Sequence, residues 1–242
     1  MVVWQHLFGI NSVLAALNAQ KRIFQTLMIA EPITEKHTIV SKANELGINY
    51  KVVDRNEVEK WATGKNHQGV VLKASEIKPI GIKSIKEISD YGARVWICLD
   101  HVTDPQNFGS ILRSAYFFGV NGILIPTRNT APLSSTVSKV SSGSMEYLDI
   151  YETHDLASFV QEMKDDGWTI IGASSEKGSK ELKSLQKRLK TLVVMGNEGE
   201  GISRKMKKIC DEVYFIKGGN GTVDSLNVGC AAGIFLYNIY NN

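Results

Sequence analysis

The residues that could carry chemistry in this sequence lie in three loops, and the first loop with its helix covers residues 99–119, LDHVTDPQNFGSILRSAYFFG. Asn107 stands where it can cap the predicted helix. Arg113 follows about one and a half turns later, at ~3.6 residues per turn, among apolar residues. A guanidinium in such surroundings needs an anionic partner. The phosphate of a ligand and a structural carboxylate, Asp100 or Asp104, satisfy this need equally well.

The second loop, VVMGNEGEGISRKM over residues 193–206, is rich in glycine. Gly196, Gly199 and Gly201 expose backbone N–H groups beside the end of a predicted strand, an arrangement that commonly binds a nucleotide. The spacing matches neither G-x-x-x-x-G-K-[ST] nor a G-x-G-x-x-G that opens a helix directly after a strand, which disfavours ATP hydrolysis and NAD binding. Glu198 inside the turn favours a ligand that offers hydrogen-bond donors. A tight connection without a ligand is the structural alternative.

The third loop and its helix, IKGGNGTVDSLNVGCAAGIFLYN, cover residues 216–238. Ser225 and Asn227 stand at the start of the predicted helix, where such residues are most often caps. Because they flank Leu226, they also form a polar edge that could face a ligand. The helix that follows is rich in small residues, which predicts close packing against a neighbour.

Alternating strands and helices position these loops. Strands are predicted at 95–99, 122–125, 149–151, 168–173, 192–195 and 212–216, and helices at 107–118, 132–140, 155–164, 203–209 and 225–240. This alternation predicts a parallel sheet covered on both faces. Ligands of such sheets bind beyond the carboxyl ends of the strands. We therefore expect the three loops to meet at one edge of the sheet.

The first 75 residues predict a separate, smaller α/β domain. Strands are predicted at 26–30, 49–54 and 69–74, and helices at 35–46, at 55–61 and after a cap at Asn11 and Ser12. A polar, lysine-rich segment follows. We therefore predict domains at 1–75 and 93–242, joined by a linker at 76–92.

Composition is that of an ordinary globular protein, with 43% hydrophobic and 22% charged residues. No apolar stretch reaches the ~18 residues of a membrane span, and the first residues lack the features of a secretion signal. The three cysteines are scattered in apolar runs, which suits packed thiols. We therefore expect a cytoplasmic location, no membrane partner, and neither disulfide nor metal site.

The charge of the chain is only weak support for a nucleic-acid partner. The formal net charge is +3, and residues 1–92, with 12 Lys and Arg against 9 Asp and Glu, account for all of it. A solvated surface gives the same count.

Taken together and in this order, the three loops resemble the motifs of the SpoU/TrmH family, in the SPOUT class of RNA 2'-O-ribose methyltransferases. The first loop matches D-x-V-x-D-P-x-N-x-G-x-I-x-R, the second G-x-E-G-x-G and the third S-L-N-V-x-x-A. The resemblance covers roughly residues 93–242. Gly229 is a departure, since relatives often carry a serine there.

Two sequence segments in the N-terminal part, FGINSVLAAL at 8–17 and HQGVVL at 67–72, extend the resemblance. They are similar to the small substrate-binding domain of bacterial 23S rRNA guanosine-2'-O-methyltransferases and their mitochondrial relatives. That domain is itself similar to ribosomal proteins of the L30e type. A generic α/β adaptor is the alternative for this part of the chain.

The resemblance implies a fold and a cofactor. The fold is α/β: a C-terminal parallel-sheet SPOUT domain with a deep trefoil knot, plus a small L30e-like N-terminal domain that binds the RNA substrate. The cofactor is S-adenosyl-L-methionine. The residues that the resemblance assigns to the cofactor are Met195, Gly196, Asn197, Gly199, Ile216 and Leu226.

The resemblance also implies a catalytic set, namely Arg113, Asn107, Glu198, Ser225 and Asn227. The reaction is attack of a ribose 2'-hydroxyl on the sulfonium methyl. Because a guanidinium has a pKa above ~12, we expect Arg113 to clamp a phosphate and stabilise the forming alkoxide, not to act as the base. Asn107, Ser225 and Asn227 would orient the reactants, and Glu198 would hold the loop.

The implied partners are RNA, foremost a guanosine in large-subunit (23S-type) rRNA, and a second copy of the chain bound through the knotted region, with no DNA partner. Three alternatives stay open at this point: the same chemistry on tRNA, a non-catalytic RNA-binding assembly factor of the same fold, and a nucleotide-dependent metabolic enzyme. The intact motif residues disfavour the second, and the missing phosphate-binding lysine disfavours the third.

Overall fold

A computed structural model of the chain describes residues 2–33, 35–88, 94–176, 178–186, 188–218 and 225–241. The chain divides into two compact units: a first unit of Met1–Lys78 with Pro132–Tyr147, and a second unit of Pro79–Ala131 with Leu148–Asn242. In this division residues 132–147 pack within the first unit, although their sequence follows the predicted boundary. The predicted domains at 1–75 and 93–242 and the linker at 76–92 stay predictions, and residues 89–93 lie outside the described residues.

The elements alternate along the chain as follows. The strands are β1 (Trp4–Phe8), β2 (Phe24–Ala30), β3 (Tyr50–Val53), β4 (Val70–Ser75), β5 (Ile80–Gly81), β6 (Arg94–Asp100), β7 (Gly122–Pro126), β8 (Ile150–Thr153), β9 (Thr169–Ala173), β10 (Lys180–Glu181), β11 (Lys190–Gly196) and β12 (Glu212–Phe215). The helices are α1 (Ile10–Ala19), α2 (Lys36–Glu45), α3 (Arg55–Ala62), α4 (Pro105–Phe118), α5 (Ser135–Val140), α6 (Leu156–Asp165), α7 (Arg204–Ile209) and α8 (Val228–Asn241). Among the described residues, none of these helices has both the length and the apolar character needed to cross a membrane.

The first unit is built on a four-stranded sheet in the order β1-β4-β2-β3. β4 is antiparallel to β1 and β2, whereas β2 and β3 are parallel. Its core includes Leu7, Leu17 and Leu72, all of them fully buried. The predicted cap of α1 at Asn11 and Ser12 is wrong, because a sharp turn at Gly9 (φ +90°) lets the helix begin at Ile10.

A buried ion pair joins residues 132–147 to the rest of the first unit. The Arg22 guanidinium donates through Nε and Nη2 to the two carboxylate oxygens of Glu146, at 2.8 Å each. Arg22 also donates to the carbonyl of Ser75 at 2.6 Å, and the Ser138 hydroxyl donates to Glu146 at 3.1 Å. Both charged side chains are completely buried. With these partners the two buried charges are neutralised and hydrogen-bonded, which is the condition for burying them.

The second unit is built on an eight-stranded sheet in the order β10-β12-β9-β11-β6-β7-β8-β5. Every described pairing in it is parallel, which confirms the predicted parallel α/β fold. Trp96, Leu192 and Met163 belong to its buried core. The short strands β5 and β10 were not predicted, because a strand of two residues is too short to show an alternation of apolar and polar side chains. The trefoil knot and the L30e likeness of the first unit stay predictions.

Helices α4 and α8 pack closely in the second unit. A Cβ atom at Gly229 would lie 2.8 Å from the Cβ of Ser110 and 2.6 Å from its hydroxyl oxygen. Ser110 therefore fills the room that a side chain at position 229 would need, so glycine suits that position in this chain. The predicted helix at 225–240 is wrong at its start, since α8 begins at Val228.

Replacing Arg22 by alanine should lower the free energy of unfolding by about 3–5 kcal/mol, because it leaves the Glu146 carboxylate buried without its counter-charge. Urea unfolding followed by circular dichroism measures the change. Glu45→Ala is the control, since Glu45 pairs with Lys42 at the surface of α2 at 2.7 Å and such pairs contribute only ~0–1 kcal/mol. Equal, small losses in both variants would contradict the structural role given to the buried pair.

Candidate active site

A cavity of about 520 Å³ opens at the carboxyl edge of the sheet in the second unit. We call it the motif cavity, because it is lined by residues from all three sequence motifs. Four of the five predicted catalytic residues line it, namely Asn107, Glu198, Ser225 and Asn227. All six predicted cofactor-binding residues line it as well, namely Met195, Gly196, Asn197, Gly199, Ile216 and Leu226. Arg113 is not among the lining residues.

Strand register brings the first two loops together. β6 and β11 are adjacent and parallel, and their last paired residues are Asp100 and Gly196. The loops that leave these two strands therefore start side by side. The third loop leaves β12, which pairs with β9 on the other side of β11. Its glycine-rich part, residues 219–224, lies outside the described residues.

One amide side chain connects the three loops. Asn107 donates from Nδ2 to Oε1 of Glu198 at 2.8 Å, and its Oδ1 accepts from Nδ2 of Asn227 at 2.6 Å. Asn227 in turn accepts from the backbone N–H groups of Gly229 and Cys230, so it caps α8. The motifs, which are distant in sequence, thus share a continuous chain of hydrogen bonds at the mouth of the motif cavity.

The prediction that Asn107 caps its helix is wrong. Asp104 is the cap: its carboxylate accepts from the backbone N–H of Gln106 at 2.9 Å, and Pro105 is the first helical residue. Proline is favoured there because the first helical N–H has no partner within the helix. With the cap supplied by Asp104, the amide of Asn107 is available for Glu198 and Asn227.

The glycine-rich second loop is shaped by Asn197. Its Oδ1 accepts from the backbone N–H groups of Gly199 and Glu200, and its Nδ2 donates to the carbonyl of His101 at 3.0 Å. Its own backbone exchanges two hydrogen bonds with Gly201. The loop therefore closes tightly, and a Cβ atom at Gly196 would lie only 2.2 Å from the carbonyl carbon of Gly201.

Arg113 is exposed on α4 and has no ion-pair partner among the residues that the structure describes. Its expected apolar surroundings, and a salt bridge to Asp100 or Asp104, are therefore not observed. Asp100 is buried; one of its oxygens accepts from the backbone N–H of Ser203 at 2.7 Å and the other lies 2.8 Å from Nδ1 of His101. Both carboxylates that the sequence offered as partners of Arg113 therefore have other partners: Asp100 these two, and Asp104 the N-terminus of α4.

The motif cavity has a negative lining. Glu176, Glu198 and Glu200 are among its lining residues, and its described lining includes no Lys, Arg or His, although Glu176 pairs with Lys207 outside the lining. Tyr214 also lines it, and burial raises the pKa of its hydroxyl to about 12, helped by the hydrogen bond that it donates to Glu212 at 2.6 Å. The tyrosine therefore stays neutral at physiological pH. Such a lining suits a cationic or hydrogen-bond-donating ligand and disfavours a polyphosphate.

Sequence reasoning missed the part of the lining that follows β9, at residues 173–176. No motif marks this segment. Its position was nevertheless implied by the fold, because β9 lies next to β11 and ends at the same edge. The described residues contain no group of three His, Cys, Asp or Glu side chains that could hold a metal ion.

Comparison with known proteins identifies the family. The model of the SpoU rRNA Methylase family matches residues 94–237, and the model for RNA 2'-O ribose methyltransferase substrate binding matches residues 6–79. The chain belongs to the SpoU rRNA methylase family. The resemblance drawn from the three motifs and the two N-terminal segments is thereby confirmed.

Individual relatives match over nearly the whole chain. The human mitochondrial rRNA methyltransferase 1 is 33% identical over 96% of this chain and 71% of its own length. The 23S rRNA (guanosine-2'-O-)-methyltransferase RlmB of Pseudomonas aeruginosa is 31% identical over 99% of this chain and 97% of its own. The crystal structure of an AdoMet-bound rRNA methyltransferase from Sinorhizobium meliloti has a TM-score of 0.79, at 22% identity over 98% of this chain and 87% of that one, and supports the fold.

Replacing Gly196 by alanine should lower the free energy of unfolding by about 1–3 kcal/mol or more, because the added methyl overlaps the backbone of Gly201. Gly199→Ala in the same loop is the matched control: its Cβ would meet nothing closer than the side chain of Asn197 at 3.5 Å, so a change within ~0.5 kcal/mol is expected. Urea unfolding followed by circular dichroism gives both values. If the two variants lost equal stability, the tight closure of the loop would be refuted.

Proposed function

We propose that this protein transfers a methyl group from S-adenosyl-L-methionine to the ribose 2'-hydroxyl of a guanosine in large-subunit (23S-type) rRNA. The observation that carries the proposal is the motif cavity, which the three family motifs build together and in whose lining Glu198 and Glu200 have no ion-pair partner among the described residues. Membership of the SpoU rRNA methylase family supports the reaction. The RlmB relatives support the rRNA guanosine as the target.

The chemistry of the motif cavity fits S-adenosyl-L-methionine. Its volume of about 520 Å³ lies in the ~300–1,000 Å³ range of small-molecule sites. The bound cofactor supplies an electrophilic methyl on a positively charged sulfur, and carboxylates nearby suit that charge. ATP or NAD would bring phosphates to a lining without a cation. The residues proposed to hold the cofactor are Met195, Gly196, Asn197, Gly199, Ile216 and Leu226.

Arg113 is proposed to bind the RNA next to the reacting hydroxyl. A guanidinium keeps its proton at any physiological pH, so it cannot serve as the base. It can hold a phosphate with two parallel hydrogen bonds and stabilise the negative charge that forms on the ribose oxygen. Its exposure and its lack of an ion-pair partner among the described residues leave it accessible to RNA.

The four predicted catalytic residues that line the motif cavity are proposed to orient the reactants. Asn107, held between Glu198 and Asn227, keeps the first loop at a fixed place relative to the other two. Ser225 lies beside them in the lining, where its hydroxyl can bond to the ribose or the cofactor. Such pre-organisation aligns the attacking oxygen with the methyl group, which is a major source of rate enhancement.

A second copy of this chain is the proposed protein partner. Phe117 on α4 and Tyr237 on α8 are 80% and 61% exposed, and Ile234 on α8 is also exposed. α4 and α8 pack against each other close to Gly229, so these apolar side chains belong to one helical pair. We propose that this pair, beside the motif cavity, forms the homodimer contact.

The RNA partner is proposed to meet both parts of the chain. Residues 6–79 match the substrate-binding model, and residues 1–92 carry the net charge of +3. Basic residues there can contact phosphates and help choose the target. A cytoplasmic location is proposed as well, in keeping with the bacterial relatives and with the free thiols of Cys98, Cys210 and Cys230.

Arg113→Ala should reduce the turnover of methyl transfer about 100- to 1,000-fold, as removal of a transition-state contact does, while the affinity for S-adenosyl-L-methionine stays unchanged. Transfer of labelled methyl to large-subunit rRNA and to tRNA, together with calorimetric titration of the cofactor, measures both quantities. Arg113→Lys is the conservative control and should recover only part of the rate, because lysine keeps the charge without the planar fork. Near-normal turnover of Arg113→Ala would contradict its role. Preferential methylation of tRNA would show that tRNA, and not large-subunit rRNA, is the substrate.

A further inference from the structure

A second cavity, of about 230 Å³, lies at the same edge of the second unit, where β6, β7 and β8 end. It is lined by His101, Pro126, Thr127, Arg128, Asn129 and His154, and we call it the histidine cavity. The proposed methyl-transfer site uses none of these residues.

The lining of the histidine cavity is rich in hydrogen-bond donors. A guanidinium, two imidazoles, an amide and a hydroxyl surround it, and none of its lining residues is acidic. Arg128 and His154 are exposed, and Arg128 has no ion-pair partner within the described part of the chain. The ring nitrogen Nδ1 of His154 lies 3.2 Å from the Thr127 hydroxyl. This composition is the opposite of the acidic motif cavity and is typical of a phosphate site.

Carboxylates in the neighbouring sequence are already engaged. Asp100, which precedes His101, is bonded to that imidazole and to the backbone of Ser203. Asp155, which follows His154, pairs with Lys205 at 3.2 Å and caps α6. Neither is a lining residue of the histidine cavity, and the negative charge of each is compensated by these partners.

The backbone at this edge adopts conformations that side-chain-bearing residues rarely take. His101 has φ +66° and Asn129 has φ +57°, both in the left-handed region. Such strain persists only where the surroundings enforce it, and it is frequent at binding sites. Here Asp100 holds the His101 ring, and Asn197 holds the His101 carbonyl.

His101 also joins the two cavities. Asn197, which donates to its carbonyl at 3.0 Å, is a lining residue of the motif cavity. The two cavities are therefore neighbours, and a polymer with one unit at the motif cavity has an adjacent unit close to the histidine cavity. In RNA the groups adjacent to a ribose are its phosphodiesters, and these are anionic.

We infer that the histidine cavity binds a phosphodiester of the RNA substrate adjacent to the nucleotide that is methylated. The inference rests on the proposed function for the identity of the polymer, whereas the phosphate chemistry comes from the lining residues. Arg128 is the principal contact, and His101 and His154 complete the site. The site thereby positions the target ribose relative to the motif cavity.

Steady-state methyl transfer tests the inference. Arg128→Ala should raise the KM for an rRNA fragment about tenfold, the size of one lost charge-assisted hydrogen bond, with kcat at saturating RNA held within about twofold. The salt dependence of RNA binding should lose about one unit of slope. Lys183→Ala removes a single exposed cation elsewhere on the second unit and should leave the KM unchanged. An equal rise in KM in both variants would show that Arg128 acts only through the net charge of the protein, and this result would overturn the inference.

A measurement without catalysis separates this inference from the proposed function. The protein with isotope-labelled histidine is titrated with uridine 3',5'-bisphosphate, with inorganic phosphate and with uridine, while the imidazole NMR signals are recorded. The bisphosphate should shift His101 and His154, assigned with His154→Gln, and leave His6, His37 and His67 of the first unit unmoved. Shifts with uridine alone would indicate a base pocket, and equal affinity for inorganic phosphate would indicate a free-anion site; either result, or no shift, overturns the inference. A wild-type protein that shifts with bisphosphate but methylates no RNA refutes only the proposed function.

Discussion

The structure of the active site depends on one amide side chain that is not a helix cap. Asn107 stands inside α4, where Asp104 and Pro105 have already satisfied the helix start, and it reaches Glu198 and Asn227 in the other two loops. Because Asn107 is nearly buried, an unpaired donor or acceptor there would cost ~1–3 kcal/mol. The two hydrogen bonds therefore stabilise the three loops in this arrangement, in which they line the motif cavity together.

Charge divides the carboxyl edge of the second unit into two regions. Among the described residues, the lining of the motif cavity has carboxylates and no cation, with Glu176 alone paired to a lysine outside the lining, whereas the histidine cavity has donors and no carboxylates. The proposed sites for a cationic cofactor and for an anionic polymer therefore differ in the charge of their linings, and each lining disfavours the other ligand. The bond from Asn197 to the carbonyl of His101 fixes the distance between the two regions.

Much of this could be predicted from the sequence, because alternating strands and helices leave few folds and the motifs follow strand ends. The parallel sheet and the meeting of the loops were predicted on that basis. Contacts between residues distant in sequence could not be predicted in this way. The register of β1 on β4, Trp4 opposite Ser75, has no local signal. The burial of Arg22 against Glu146 likewise depends on tertiary packing. The exposure of Arg113 does so too, because the sequence of an apolar helix does not show which of its faces will be buried.

A double-mutant cycle on cofactor binding tests the central claim, that the hydrogen bond between Asn107 and Glu198 makes the motif cavity a single site for S-adenosyl-L-methionine. Calorimetric titration would compare the wild-type protein with Asn107→Ala, Glu198→Ala and the combined variant. The wild-type protein should bind the cofactor, each single variant should lose affinity, and the combined variant should bind no more weakly than the weaker single variant. Additive losses, or affinities that all equal the wild-type value, would contradict the claim.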